Sequence, residues 1–226
     1  DFQMYRLVRV SGKGIRFDNV DFRYTIVDTC YFRNCVFNNC DFTGCRFIAS
    51  NFRGATFEGC KFEYAVFERT EIPPKVLSTN CPGYDNLTLD FARKLRKNYE
   101  SLGEKEASDK AFSVELAATR RYLYKASFSG ESYYRSKYKG FDRFRLIWKW
   151  IGFWFTDLVL GNGQKVSRPF LVVLLSLVCV TLFDFAWTSP RTAGSLWRSL
   201  IESPAIFFGI ATPATYPHLI AVFIYV

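Results

Sequence analysis

The chain has 226 residues, enough for one large domain or two small ones. Its 30 Lys and Arg against 21 Asp and Glu give a formal net charge of +9, which points to nucleic acid or anionic lipid according to where the charge sits. Seven cysteines without a CxxC pair argue against a disulfide scaffold and a zinc site, and one His without HExxH, GxSxG or GxxxxGK[ST] argues against an enzyme.

The chain opens on Asp1 rather than Met and stops at Val226 inside an apolar run, so both ends are expected to lie inside a longer protein. From residue 17 a large apolar residue recurs every five positions: Phe17, Phe22, Val27, Phe32, Phe37, Phe42, Phe47, Phe52, Phe57, Phe62, Phe67 and Ile72. Two residues before each stands a second, mostly small series that includes Thr25, Cys30, Cys35, Cys40, Cys45, Ser50, Ala55, Cys60 and Ala65. A period of five fits neither the helix nor the strand. Each unit is expected to form one side of a square coil, with Phe17 stacked on Phe37 and Phe57, and Phe22 on Phe42 and Phe62. The cysteines then read as small slot-fillers, buried as free thiols in a reducing compartment.

Over residues 13–74 this pattern resembles the pentapeptide-repeat family, which implies a right-handed quadrilateral β-helix. Some members mimic DNA with an acidic surface, but here Arg16, Asp18, Arg23, Asp28, Arg33 and Asp41 intersperse, so no acidic face is expected. The repeat is read as an assembly module with room for a protein partner.

The period stops at Pro73-Pro74, and a loop containing Cys81-Pro82-Gly83 is expected to follow. Leu89, Ala92, Leu95, Tyr99 and Leu102 fall at helical spacing, and Gly103 is a helix stop. A second helix from about Lys105 carries Ala107, Ala111, Val114, Ala118 and Tyr122 on one face. Residues 85–126 thus read as a helical hairpin that resembles one tetratricopeptide-like unit. A lone unit cannot bury its face, so it is expected to pack on another element.

Residues 141–160 mix Trp148, Trp150 and Trp154 with Arg143, Arg145 and Lys149, the composition of a helix lying in a bilayer interface. The run from Pro169 to Trp187 is long enough to cross a membrane, with Asp184 as its one charge, near one end. Arg120, Arg121, Lys125, Arg135, Lys137, Lys139, Lys149, Lys165 and Arg168 precede it, whereas Arg191 and Arg198 follow. The positive-inside rule then keeps the N-terminal side in the cytoplasm of an integral membrane protein, expected in a bacterial inner membrane from the resemblance described next. Adhesion to anionic lipid accounts for the charge, and nucleic acid is not needed.

A loop from Thr188 to Ser195, a short helix from Leu196 to Phe208, an irregular stretch from Gly209 to Pro217 and a new apolar run from Leu219 follow. This order over 169–226 resembles bacterial proteins that couple pentapeptide repeats to a two-helix pore-loop channel. The resemblance implies a homo-oligomer, a tetramer by analogy, that passes ions. It places Gly209, Ile210, Ala211, Thr212 and Pro213 in the filter, with Glu202 and Thr215 beside the path. Ala211 and Pro213 stand where potassium filters have glycine, so a potassium filter is not expected. His218, the single histidine, falls at the membrane interface, and no cofactor or metal is expected. A non-conducting membrane-anchored scaffold that recruits partners through the β-helix is the alternative.

Overall fold

Every second five-residue unit forms a three-residue strand, and the units between contribute a single bridge and a turn, so no strand exceeds three residues. In the computed structural model, which describes residues 1–161, 167–187, 192–208 and 210, seven such strands form. They are β1 (Arg6–Val8), β2 (Arg16–Asp18), β3 (Ile26–Asp28), β4 (Val36–Asn38), β5 (Arg46–Ile48), β6 (Thr56–Glu58) and β7 (Val66–Glu68). All pair in parallel, in the orders β1-β3-β5-β7 and β2-β4-β6. Leu7 sits opposite Val27 and Phe17 opposite Phe37. Single bridges such as Ser11 with Tyr31 and Asp21 with Asp41 mark two further ladders. Four ladders that each step one coil make a parallel four-sided solenoid of about three turns.

The rings stack as the period requires. Phe37 lies 4.9 Å from Phe17 and 5.0 Å from Phe57, and Phe42 lies 4.9 Å from Phe22 and 5.1 Å from Phe62, all near parallel. Phe47 and Phe67 stack at 5.1 Å, and Phe32 and Phe52 sit 5.5 Å apart at a tilt. All of these except the half-buried Phe17 are buried. The slot residues do more than fill space. Sγ of Cys30, Cys35, Cys40, Cys45 and Cys60 points at the carbonyls of Leu7, Gly12, Phe17, Phe22 and Phe37, and Ser50 Oγ donates to Val27. A small side chain with a weak donor thus meets the core carbonyl of the preceding coil, which size alone does not reveal.

The solenoid begins earlier than residue 13. Phe2 stacks on Phe22 at 5.3 Å, and β1 pairs with β3. Phe2 and Leu7 are in phase with the period, but Gly12 occupies the next core position and breaks the visible series. A Cβ on Gly12 would meet Ile15 Cδ1 at 2.7 Å, so the Ile15 side chain reaches into the space a larger core residue would take.

At the other end, Pro73-Pro74 leads into a short helix, α1 (Val76–Thr79), within what the sequence suggested as loop. The hairpin follows as α2 (Asp85–Leu102) and α3 (Lys105–Phe128), joined at Gly103, whose φ of 74° is the left-handed conformation a helix stop requires. Helix α2 lays its apolar face on the last coil. Phe91 packs 5.7 Å from Phe62 and 6.1 Å from Phe67, with Ala92, Leu95 and Tyr99 fully buried beside it. Its polar groups take over the backbone pairing that another coil would supply. Asn98 Oδ1 accepts from Thr70 N and Asn98 Nδ2 donates to Thr70 O, both at 2.8 Å, and Tyr99 Oη donates to Ile72 O at 3.1 Å. Asn80 Nδ2 donates to Cys60 O in the same way. The hairpin is therefore a cap that covers an edge otherwise open to strand addition.

Helix α4 (Ser132–Lys137) follows, and α5 (Phe141–Leu160) runs past Ile151, where the chain divides into two compact units, 1–151 and 152–226. Leu146 joins Ala126 and Tyr134 in a small second cluster, Arg143 Nε donates to Ser127 O, and Trp150 packs on Phe128 and Tyr124. On the other side of α5, Phe141, Phe144, Trp148, Ile151, Phe155 and Leu158 are exposed at spacings of three and four.

In the second unit, α6 (Ser167–Trp187) packs against α7 (Ala193–Phe207). Helix α7 starts three residues before Leu196, because Thr192 and Ser195 form a capping box that draws part of the expected loop into the helix.

Candidate functional site

A groove of about 500 Å³ opens where the solenoid, the hairpin and α4 meet. Tyr64 reaches it from a corner of the last full coil, Tyr84 and Asp85 from the start of α2, Lys125 from the end of α3, and Glu131 and Tyr133 from the start of α4. Asp85 is its buried anchor. Its carboxylate lies 2.7 Å from Arg121 and 2.8 Å from Lys125 and holds the open ends of α2 and α3 together. Burial pushes that carboxyl up, but the hydrogen bonds from Lys125 and Arg121 outweigh it and hold the group below its ordinary range. Midway along the hairpin, Glu115 pairs with Arg93 at 2.9 Å and Arg96 at 2.8 Å. Its described lining offers aromatic faces, phenol hydroxyls and the exposed carboxylate of Glu131.

The tyrosine at this corner carries a signal the sequence does contain. The second residue after each core position from Phe2 to Phe67 has positive φ, the region that favours Gly and Asn. On two of the four edges every such corner is Gly or Asn: Gly14, Asn34 and Gly54 on one, Asn19, Asn39 and Gly59 on the next. A third edge reads Met4, Tyr24, Gly44 and Tyr64, with φ of 58° at Tyr24 and 62° at Tyr64. A side chain there costs about 1–2 kcal/mol, and both rings stand more than half exposed.

The candidates expected in the membrane segment fare differently. Glu202 pairs with Arg198 at 2.8 Å on the outer face of α7. Ile210 is exposed. Gly209, Ala211, Thr212, Pro213, Thr215, His218 and the run from Leu219 lie outside the described residues, as do Lys165 and most of the loop before α7. Asp184, which hydropathy placed near the end of a crossing, is buried and accepts a 2.6 Å hydrogen bond from Ser199 Oγ of α7. Among the described residues no group of three or more His, Cys, Asp or Glu is placed to hold a metal ion. The five slot cysteines are buried, and burial pushes the Cys45 thiol up to about 12, so it stays protonated. Cys81 is half-buried and Cys179 exposed, which corrects the reading of all seven as buried.

Comparison with known families agrees with the coil geometry. The family described as Pentapeptide repeats (9 copies) matches residues 22–71, so this part of the chain consists of pentapeptide repeats. The match starts after the Gly12 interruption and ends where α2 takes over the last coil. A search of the curated proteins finds no match to the chain.

Proposed function

We propose that the protein is a membrane-anchored interaction scaffold: a capped pentapeptide-repeat solenoid, tethered by α6, that recruits a protein partner on its surface. One observation carries the reading. Ser167–Ala186 is, among the described residues, the one helix long and apolar enough to cross a bilayer, and only 11% of this stretch is buried. Apolar surface on that scale needs a lipid or protein cover, whereas the solenoid already buries its core under its own cap. The basic residues before α6 favour a cytoplasmic solenoid, and the exposed row on α5, with Arg145 and Lys149 beside it, suits a helix lying at the anionic interface. The reading assigns no catalytic role and no cofactor.

The test is flotation. The full chain, synthesised in the presence of phospholipid vesicles, is expected to float with them and to resist alkaline carbonate. Leu174→Arg together with Val178→Arg, at a cost of about 2.5–3.5 kcal/mol per charge, is expected to release it. A wild-type chain recovered in the carbonate supernatant would sink the reading.

A second reading, an oligomeric ion pore with the solenoid as its assembly domain, is favoured by α7. At 15 residues it spans about 22 Å, too short for the roughly 30 Å hydrocarbon core, and it packs on α6 through a buried Asp184–Ser199 bond. This is the layout of a helix that enters a membrane halfway beside a lined cavity. Planar-bilayer recording decides it. Discrete currents altered by Glu202→Gln support a pore, and silence from inserted, oligomeric protein contradicts it.

A further inference from the structure

The aromatic edge of the solenoid has a spacing of its own. Tyr24, Gly44 and Tyr64 occupy the same corner on three successive coils, linked by Tyr24 N to Thr43 O and Gly44 N to Glu63 O. A Cβ on Gly44 would lie 2.5 Å from the Tyr24 ring, so the ring leans into the space the glycine leaves. Coils in a parallel ladder are about 4.8 Å apart, which sets the backbones of Tyr24 and Tyr64 about 9.6 Å apart along the solenoid axis. A polyproline II helix repeats every three residues at about 3.1 Å each, a turn of about 9.3 Å. The two repeats match, so one proline ring per turn meets one tyrosine. Beyond Tyr64 the edge runs into the groove, where the exposed rings of Tyr84 and Tyr133 continue the aromatic wall. Charge adds a preference. Lys125 is engaged by Asp85, so in the groove the exposed carboxylate of Glu131 is what a bound segment meets.

We propose that the Tyr24–Tyr64 edge and the groove it enters bind a proline-rich, basic segment of a partner protein in polyproline II conformation. This deepens the scaffold reading and rests on its claim that the solenoid recruits a protein. The exposed rings explain why tyrosine occupies a corner that glycine or asparagine fills more cheaply on two of the other edges. Polyproline recognition commonly uses aromatic grooves, because the ligand loses little entropy on binding.

The test uses the full chain in vesicles and a fluorescent peptide of about four Arg-Pro-Pro repeats, one repeat per polyproline turn. Its control is an Arg-Gly-Gly peptide of equal length and charge, and binding is read by anisotropy whether or not the protein floats. The proline peptide is expected to bind about tenfold more tightly than the control. Tyr64→Gly is expected to cut that affinity about tenfold without lowering the thermal midpoint, since glycine accepts φ of 62° freely. Equal binding of the two peptides would overturn the proposal, as would unchanged binding by Tyr64→Gly or no binding at all. Protein that floats but carries no proline peptide would overturn this inference and leave the membrane anchor standing.

Discussion

Phe42→Ala is expected to remove about 3–5 kcal/mol from the stability of the solenoid. Phe42 is 1% exposed and stacks on Phe22 below and Phe62 above, with Phe37 and Phe57 edge-on. The backbone cannot collapse into the vacancy, because each coil is fixed by ladders to the coils on both sides. A solenoid of about three turns is close to the smallest stack that holds together, so the loss divides it into fragments too short to stand alone. Urea titration followed by hydrogen exchange of the coil amides checks this. Phe17→Ala, at a half-buried position stacked on Phe37, is expected to cost about half as much. Equal costs at the two positions would contradict the stacked-core account.

Asn98→Ala is expected to cost about 2–4 kcal/mol, more than its small volume suggests. Asn98 is 2% exposed and satisfies both the N–H and the C=O of Thr70. Alanine leaves both groups buried and unpaired, each at about 1–3 kcal/mol. Asn98→Asp keeps the acceptor for Thr70 N but turns a carboxylate oxygen toward Thr70 O, so it is expected to be no better than alanine. Faster exchange at Thr70 and Glu71, with the first two coils unchanged, is the expected signature. A uniform change along the solenoid would mean that α2 does not act as a cap.

The core was legible because a period of five leaves a mark on the sequence that no other regular structure makes. Phe22 to Phe67 could be placed, and their stacking partners named, from the 20-residue turn alone. The first coil was not legible, because Gly12 interrupts the series and only the pairing of β1 with β3 restores it. The cap escaped for a different reason. Asn98 and Tyr99 look like ordinary helix residues, and their partners Thr70 and Ile72 lie 28 and 27 positions earlier. Periodicity marks which face of a helix is apolar, but not which backbone groups wait beneath it. The capping box of Thr192 and Ser195 was present in the sequence as a Ser three residues after a Thr. Asp184 shows the limit of hydropathy, which locates a charge along a helix but not around it. Its burial against Ser199 depends on where α7 packs. The tyrosine edge was readable in principle, since Tyr24 and Tyr64 stand at positive-φ corners that two of the other edges fill with Gly and Asn alone.

Cys179 offers the most direct measurement of the anchor. It is exposed on α6, whereas the five slot cysteines are buried, so with Cys81 replaced by serine a thiol-reactive fluorophore goes to one place. The labelled full chain is reconstituted in vesicles that carry a quencher deep in the acyl chains, with iodide in the water. Strong quenching by the lipid and little by iodide is the expected result, and it places α6 across the bilayer. Quenching by iodide with none from the lipid would put α6 in water and contradict the membrane-anchored scaffold.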